Sequence, residues 1–164
     1  MSFLEIELPF KSFSAGGFPV PVAAPVFSIA VQKIQINCIV DSGADFCTIP
    51  QSIGHALGIN FSKIAPAEIS KRWRDLDGSN AEQVNVLITE IIEKKVAVPT
   101  TYECACGQTT GAFYYPVTIE LGKLKKEIIV LWTPKNIPPL LGRIGVLDSV
   151  RELSFKNGNT IFKF

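Results

Sequence analysis

Alternating apolar and polar residues predict β-strands along most of this chain. In the first such stretch, FLEIEL, the leucines and the isoleucine share one face and the glutamates share the other, as in a half-buried strand. The stretches VFSIAV and IQINCIV predict a hairpin with its turn at Gln32 and Lys33. The second arm of this hairpin runs directly into Asp41.

Later segments continue the β pattern. FCTIP predicts a short strand, and QSIGHALG predicts a short helix that ends at Gly58. GAFYYPVTIEL and KKEIIVLW flank a Gly-Lys turn and predict a second hairpin. ELSFKNGNTIFKF predicts a third hairpin around Asn157 and Gly158, because Asn-Gly is among the strongest short-range turn signals. LLGRIGVLDSV has an apolar start and then the spacing of a short helix.

Residues 79–95 interrupt the β pattern. Residues 79–82, SNAE, have the form of a capping box. Five apolar residues from Val84 to Ile92 then follow the spacing of an amphipathic helix. A strand remains an alternative, because β-branched residues are dense here. We expect a helix around 80–95, within an insertion at residues 64–103 that could be a substrate-selecting cap, a dimerisation arm or packing only.

Composition and charge narrow the class of protein. The 164 residues suggest one mainly β domain, 1–164, and 47% hydrophobic residues suit a globular chain. The net charge is +1, and we see no basic stripe of the kind that binds nucleic acid. The N-terminal residues do not resemble a signal peptide, and no apolar run is long enough to span a membrane. We therefore expect a cytoplasmic protein.

The four cysteines suggest two roles. Reduced thiols are expected in the cytoplasm, so Cys38 and Cys47, which lie among apolar residues, are interpreted as small core residues. Cys104 and Cys106 could instead belong to a zinc-linked interaction domain. A structural zinc site usually needs four Cys or His ligands, and His55 is the chain's one histidine. We therefore expect no metal.

Common catalytic motifs are absent from the sequence. There is no GxxxxGK[ST] phosphate loop, no GxGxxG after a strand and no GxSxG elbow. Carboxylates remain, and Asp41 follows an apolar strand and precedes Ser42 and Gly43. Asp-Ser-Gly is also a common turn sequence, so a turn is the simpler interpretation of this triplet alone. Two such aspartates held side by side would share one proton, and could then act as general base and general acid on a peptide bond.

Two stretches together resemble a known family. IVDSGADFCTIP resembles the active-site segment of the retropepsin-like aspartic proteases, and PPLLGRIGVLD is similar to their second motif. Its LLGRxGxLD form most resembles prokaryotic single-domain members. The resemblance covers residues 18–62 and 112–164 and implies the closed barrel of acid proteases. It also implies an aspartic endopeptidase that acts on peptides or proteins and needs no cofactor.

The resemblance assigns roles to matching residues. Asp41 would be the catalytic aspartate, with Ser42 and Gly43 completing its loop through a cross-loop hydroxyl bond and a tight turn. Gly142 and Arg143 would be structural supports, with Gly142 allowing two loops to pass closely and Arg143 pairing with Asp45. The residues that would contact substrate are Ile39, Ala44, Asp45, Gly107 and Leu140.

The resemblance also implies a homodimer. Because the chain has one Asp-Ser-Gly triplet, a pair of catalytic aspartates requires Asp41 from each of two chains across a two-fold axis. The terminal strands FLEIEL and TIFKF would form the interface sheet. CACGQTTGAFYYP would be the flap that closes on substrate, with Gly107 and Gly111 bracketing a mobile turn. The alternative is a weakly active or inactive peptide-binding module on the same fold.

Overall fold

The computed structural model describes residues 4–13, 17–103 and 107–164. Strands dominate, with three helices and a short 3-10 helix in the described ranges. The elements in chain order are β1 (Glu5–Pro9), β2 (Val22–Ala23), β3 (Val26–Ile29), β4 (Gln32–Gln35), β5 (Cys38–Val40), β6 (Cys47–Pro50), α1 (Gln51–Ala56), α2 (Ala67–Arg74), α3 (Ala81–Lys94), β7 (Val98–Glu103), β8 (Thr109–Leu121), β9 (Leu124–Thr133), β10 (Leu140–Leu141), the 3-10 helix (Leu147–Ser149), β11 (Glu152–Lys156) and β12 (Asn159–Lys163).

The two ends of the chain meet in a small antiparallel sheet. Its strand order is β1-β12-β11, so the central strand is the last one in the chain. The β11–β12 hairpin turns at Asn157 and Gly158, whose φ angles of 53° and 74° are those of a tight hairpin turn. The predicted terminal strands therefore pair with each other within one chain.

The larger sheet holds the remaining strands in the order β2-β5-β10-β6-β9-β8-β3-β4, and β7 pairs with β8 outside this path. The long β8–β9 hairpin is its centre, and it turns at Gly122 and Lys123 as the sequence predicts. The first hairpin turns two residues earlier than predicted. Gln32 and Lys33 are paired with Ile29 and Ser28, so the turn lies between β3 and β4 instead of at the polar pair.

The placement of β10 determines the geometry of the Asp41 segment. β10 pairs in parallel with β5 and antiparallel with β6, so it lies between the two strands that flank that segment. The chain that leaves β5 must therefore cross the end of β10 before it returns as β6. The sequence that follows β10 consequently emerges directly beside the connection between β5 and β6.

Two apolar clusters stabilise the fold. The larger one fills the inside of the big sheet and includes Cys38 and Cys47, which are fully buried as predicted. The smaller one lies on the other side of β9. The sequence of β9 explains this division, because its first half carries three consecutive charged residues (Lys125, Lys126 and Glu127), whereas its second half is buried on both faces. Within that half, Ile129 belongs to the smaller cluster and Val130 to the larger.

The helix predicted around 80–95 is present as α3. Leu87 and Ile91 are its buried residues, and the strand alternative is wrong. The predicted capping box is shifted by one residue, because the side chain of Asn80 accepts the hydrogen bond from the Gln83 N–H at 3.1 Å. The Ser79 hydroxyl instead donates to Asp77 Oδ1 at 2.7 Å, so it is part of the preceding turn.

The insertion is a helical unit whose two ends meet. The Ala65 N–H donates to the carbonyl of Ala97, and the Ala97 N–H donates to the carbonyl of Lys63, both at 2.8 Å. Between these residues the chain forms α2 and α3. Residues 98–103, which end the predicted insertion, are not part of this helical unit, since they form β7. The short helix predicted after the LLGR motif is a single 3-10 turn.

Candidate active site

Residues 41–46, named here the Asp41 loop, connect β5 to β6. The Asp41 N–H donates to the carbonyl of Leu141 at 3.1 Å, which ties the start of the loop to β10. The Gly43 N–H donates to Asp41 Oδ1 at 2.9 Å, and the Ala44 N–H donates to the Asp41 carbonyl at 3.2 Å. These bonds make a tight turn. They hold the half-buried carboxylate at the end of its strand and fix one of its two oxygens.

Gly142 lies where the Asp41 loop crosses the end of β10. A Cβ atom at this position would lie 2.4 Å from both the carbonyl carbon and the carbonyl oxygen of Phe46, and 2.9 Å from the carbonyl oxygen of Ala44. Backbone atoms cannot rotate aside as a side chain can. The two segments can therefore approach this closely only because residue 142 has no side chain.

Hydrogen bonds beyond Gly142 join the two segments further. The Arg143 N–H donates to the Ala44 carbonyl at 2.9 Å, and the Ile144 N–H donates to the Asp45 carbonyl at 2.7 Å. The Arg143 guanidinium also donates to the Asp45 carboxylate at 2.5 Å. This hydrogen bond, and then the charge of Asp45, raise the pKa of Arg143. The Arg143 side chain is 50% exposed and that of Asp45 63%, so the pair lies at the rim.

An apolar pair lies beside Asp41. Ile39 and Leu140 are directly paired across β5 and β10, and both are half-buried, whereas their neighbours Val40 and Leu141 point into the core. Because side chains alternate along a strand, Asp41 continues the face that carries Ile39. The carboxylate therefore lies at the edge of a small apolar surface that an extended peptide could contact.

Ser42 and Gly107 take no part in these contacts among the described residues. The Ser42 hydroxyl is exposed and makes no hydrogen bond to any residue that the structure describes in this chain. Gly107, with a φ angle of 77°, lies near the end of the β7–β8 hairpin, and the hydrogen bonds of the described residues do not join it to the Asp41 loop. The Lys135 ammonium donates to Gln108 Oε1 at 2.9 Å and connects this end of the hairpin to the segment before β10.

The hairpin itself differs from the predicted flap. Its paired part is β7 with residues 109–114 of β8, and we refer to it as the 98–114 hairpin. Gly111 was predicted to bracket a mobile turn, but it lies within β8 opposite Thr101, because strand pairing continues as far as Glu103 and Thr109. Part of the predicted flap, residues 104–106, lies outside the described residues.

Three aromatic residues meet at the outer edge of the Asp41 loop, and we call them the ring cluster. Phe46 ends the loop, Tyr114 lies on the 98–114 hairpin, and Trp73 comes from α2. The ring centres are 5.0 Å apart for Phe46 and Tyr114, 4.7 Å for Trp73 and Tyr114, and 5.9 Å for Phe46 and Trp73. Burial, and then the negative charge of Asp45, raise the pKa of Tyr114.

Sequence reasoning did not find Trp73. Its signal was the apolar spacing of Ile69 and Trp73 after Pro66, since residues four apart share one face of a helix and proline commonly begins one. The other residues of α2 are mostly charged, which hides this pattern.

Other parts of the molecule offer less chemistry. The described residues contain no group of three metal-ligating side chains, and Cys104 and Cys106 of the zinc hypothesis lie outside those residues. A hollow of about 800 Å³ lies between α2 and α3, but its lining includes no residue of the Asp41 loop or of β10. In the described ranges, every helix is too short or too polar to cross a lipid bilayer.

Comparisons with known proteins support the fold. No protein-family model matches the chain, and no curated protein matches its sequence. Among solved structures, the chain is similar to the crystal structure of a retropepsin-like aspartic protease from Rickettsia conorii. The TM-score is 0.57 and the identity 15%, over 99% of this chain and 92% of that one. The predicted mainly β, retropepsin-like fold is therefore confirmed, with its large sheet forming a half-barrel.

Proposed function

We propose that this protein is a homodimeric aspartic endopeptidase in which each chain contributes Asp41 to one active site. The observation that carries the proposal is the crossing of the Asp41 loop over β10, which holds a carboxylate at the edge of the apolar pair Ile39 and Leu140. The similarity to a solved retropepsin-like protease supports the fold on which this geometry depends.

The proposed reaction uses two Asp41 carboxylates that share one proton, because two adjacent negative charges are costly. The ionised carboxylate takes a proton from water as the water oxygen bonds to the peptide carbonyl carbon. The protonated partner donates its proton to the carbonyl oxygen. The carbon–nitrogen bond then breaks as one hydroxyl of the tetrahedral intermediate returns its proton to the partner carboxylate, and the amine leaves with the proton that the first carboxylate took from water. The Gly43 N–H bond to Asp41 orients the carboxylate throughout.

Several features suit assembly of two chains. The exposed Ser42 hydroxyl has no partner among the described residues of its own chain and would bond to the loop of the second chain. β1 and β11 are the edges of the terminal sheet and would extend it across the two-fold axis. Asp45, held by Arg143, would bind the backbone of the extended substrate, with Ala44 beside it. Gly107 would contact the substrate from the 98–114 hairpin, which would act as the flap.

Cleavage of a peptide library between pH 4 and 7 tests the proposal. We expect hydrolysis by the wild-type protein, loss of hydrolysis in Asp41→Asn, and inhibition by pepstatin. Sedimentation of both proteins should give the same dimer. Equal cleavage by the mutant would contradict the proposal, and so would an ordered wild-type dimer that binds the peptides without cutting them. The latter result would identify a peptide-binding module instead.

A further inference from the structure

We infer that Trp73 is a positioning residue, through which the helical insertion fixes the Asp41 loop and the 98–114 hairpin relative to each other. The inference rests on the proposed function where it concerns catalysis. It concerns a residue from outside the two sequence motifs, on a helix that the pattern of residues did not predict.

Trp73 contacts the Asp41 loop through the ring of Phe46. Its ring centre lies 5.9 Å from that of Phe46, at a tilted angle of 46°. The backbone of Phe46 is the part of the loop that lies against Gly142. A shift of Phe46 would therefore change how the Asp41 loop crosses the end of β10, and this crossing holds Asp41. Trp73 acts on the crossing through Phe46 and is not itself part of it.

Trp73 also contacts the 98–114 hairpin. The Trp73 ring centre lies 4.7 Å from that of Tyr114, which is paired with Val98 at the base of the hairpin. The two rings are tilted by 53°, and their centres lie within the separation at which aromatic rings attract each other. One side chain of α2 therefore contacts both the loop that carries Asp41 and the hairpin that would act as the flap.

The insertion that carries Trp73 is anchored at its two ends and on the sheet. Its ends are joined at Ala65 and Ala97, and α2 and α3 share an apolar cluster with β9 that includes the fully buried Ile69 and Ile91. Arg72, next to Trp73, donates to Glu90 of α3 at 2.6 Å. These contacts fix α2 against α3 and the sheet, so Trp73 projects from an anchored helix.

Substitution of Trp73 should consequently loosen two segments together. In Trp73→Ala we expect amide hydrogen exchange at residues 44–47 and 109–114 to accelerate about tenfold or more, while exchange in β11 and β12 stays unchanged. With peptide substrates, kcat should fall about tenfold to a hundredfold, since small misplacement of a reacting group has effects of this size. Trp73→Phe should restore both properties to within about threefold.

A matched control separates positioning from stability. Leu87→Ala removes apolar contacts from the same cluster through α3 and alters none of the three rings themselves. We expect it to lower the stability at least as much as Trp73→Ala, with kcat within about threefold of wild type. The inference is wrong if Leu87→Ala reproduces the exchange pattern and the kcat loss of Trp73→Ala. It is also wrong if the Asp41 loop and the hairpin respond independently in Trp73→Ala.

The two proposals fail separately. If wild-type protein cleaves no peptide, the proposed function is wrong, and hydrogen exchange still decides whether Trp73 couples the loop to the hairpin. If wild-type protein is active and Trp73→Ala keeps full kcat with unchanged exchange, only the inference is wrong. Should Trp73→Ala not fold, Trp73→Leu and Trp73→Phe provide the same comparison.

Discussion

Replacement of Gly142 by alanine is the most direct perturbation of the crossing that forms the candidate site. The added Cβ would lie 2.4 Å from two backbone atoms of Phe46, where ordinary contact begins at 3.4 Å. The two segments must therefore separate by about 1 Å. No flexible side chain is available to absorb this change, because the nearest atoms belong to the backbone.

The expected loss of stability follows from the hydrogen bonds that this separation breaks. The Arg143–Ala44 and Ile144–Asp45 backbone hydrogen bonds, at 2.9 and 2.7 Å, would lengthen beyond bonding distance. Each contributes about 0.5–1.5 kcal/mol net. Steric strain in a packed site adds about 1–3 kcal/mol. We expect Gly142→Ala to lower the free energy of unfolding by about 2–6 kcal/mol.

Urea unfolding at a fixed protomer concentration measures this loss, because the stability of a self-associating protein depends on its concentration. Gly78→Ala is the matched control, since its added Cβ meets no atom within 4 Å. That variant should stay within about 0.5 kcal/mol of wild type. If Gly142→Ala is equally mild with an unchanged urea slope, the close approach at residue 142 does not contribute as described.

Three further predictions follow from the described contacts. The pKa of Tyr114 is raised above its ordinary 10.0. Its contribution to stability is therefore complete below about pH 10 and is lost as pH rises through the folded-state pKa. Urea unfolding from pH 8 to 11 should accordingly show a smaller decline in the free energy of unfolding for Tyr114→Phe than for wild type. The half-exposed Asp45–Arg143 pair should show only the weak coupling of a surface ion pair in a double-mutant cycle of Asp45→Asn and Arg143→Gln, and this coupling should shrink as salt is added. A strong, salt-independent coupling would contradict the exposure of the pair. Burial raises the pKa of Cys38, and raises that of Cys47 to about 12, so peptide mapping should find both unalkylated by iodoacetamide in the folded protein and alkylated after unfolding.

The sequence patterns predicted local structure well, but they predicted less of how the elements pack together. Asn157 and Gly158 specify their turn by backbone preference alone, and α3 has apolar residues at consistent helical spacing. The first hairpin was misplaced because Ala30, which has a φ angle of 51°, is not a usual turn residue. Helix α2 was missed because Ile69 and Trp73 are too few apolar residues to reveal a helical period, and its packing on the sheet is a contact that the local sequence does not show.

The candidate site depends on contacts that no local pattern contains. Asp45 and Arg143 are 98 positions apart, and only the resemblance to a known family related them before the fold was seen. The same holds for Gly142, since glycine there could equally have marked a turn. Trp73 lies outside both motifs, and neither local pattern nor resemblance related it to Phe46.

Mixing of wild-type chains with Asp41→Asn chains tests the shared active site most directly. After subunit exchange in an equal mixture, about one quarter of the dimers contain two wild-type chains. If both aspartates are needed, peptidase activity per wild-type chain should fall to about half of its value in the unmixed protein. Activity per wild-type chain that does not change on mixing, with exchange verified, would show that a single Asp41 is sufficient and would contradict the two-chain site.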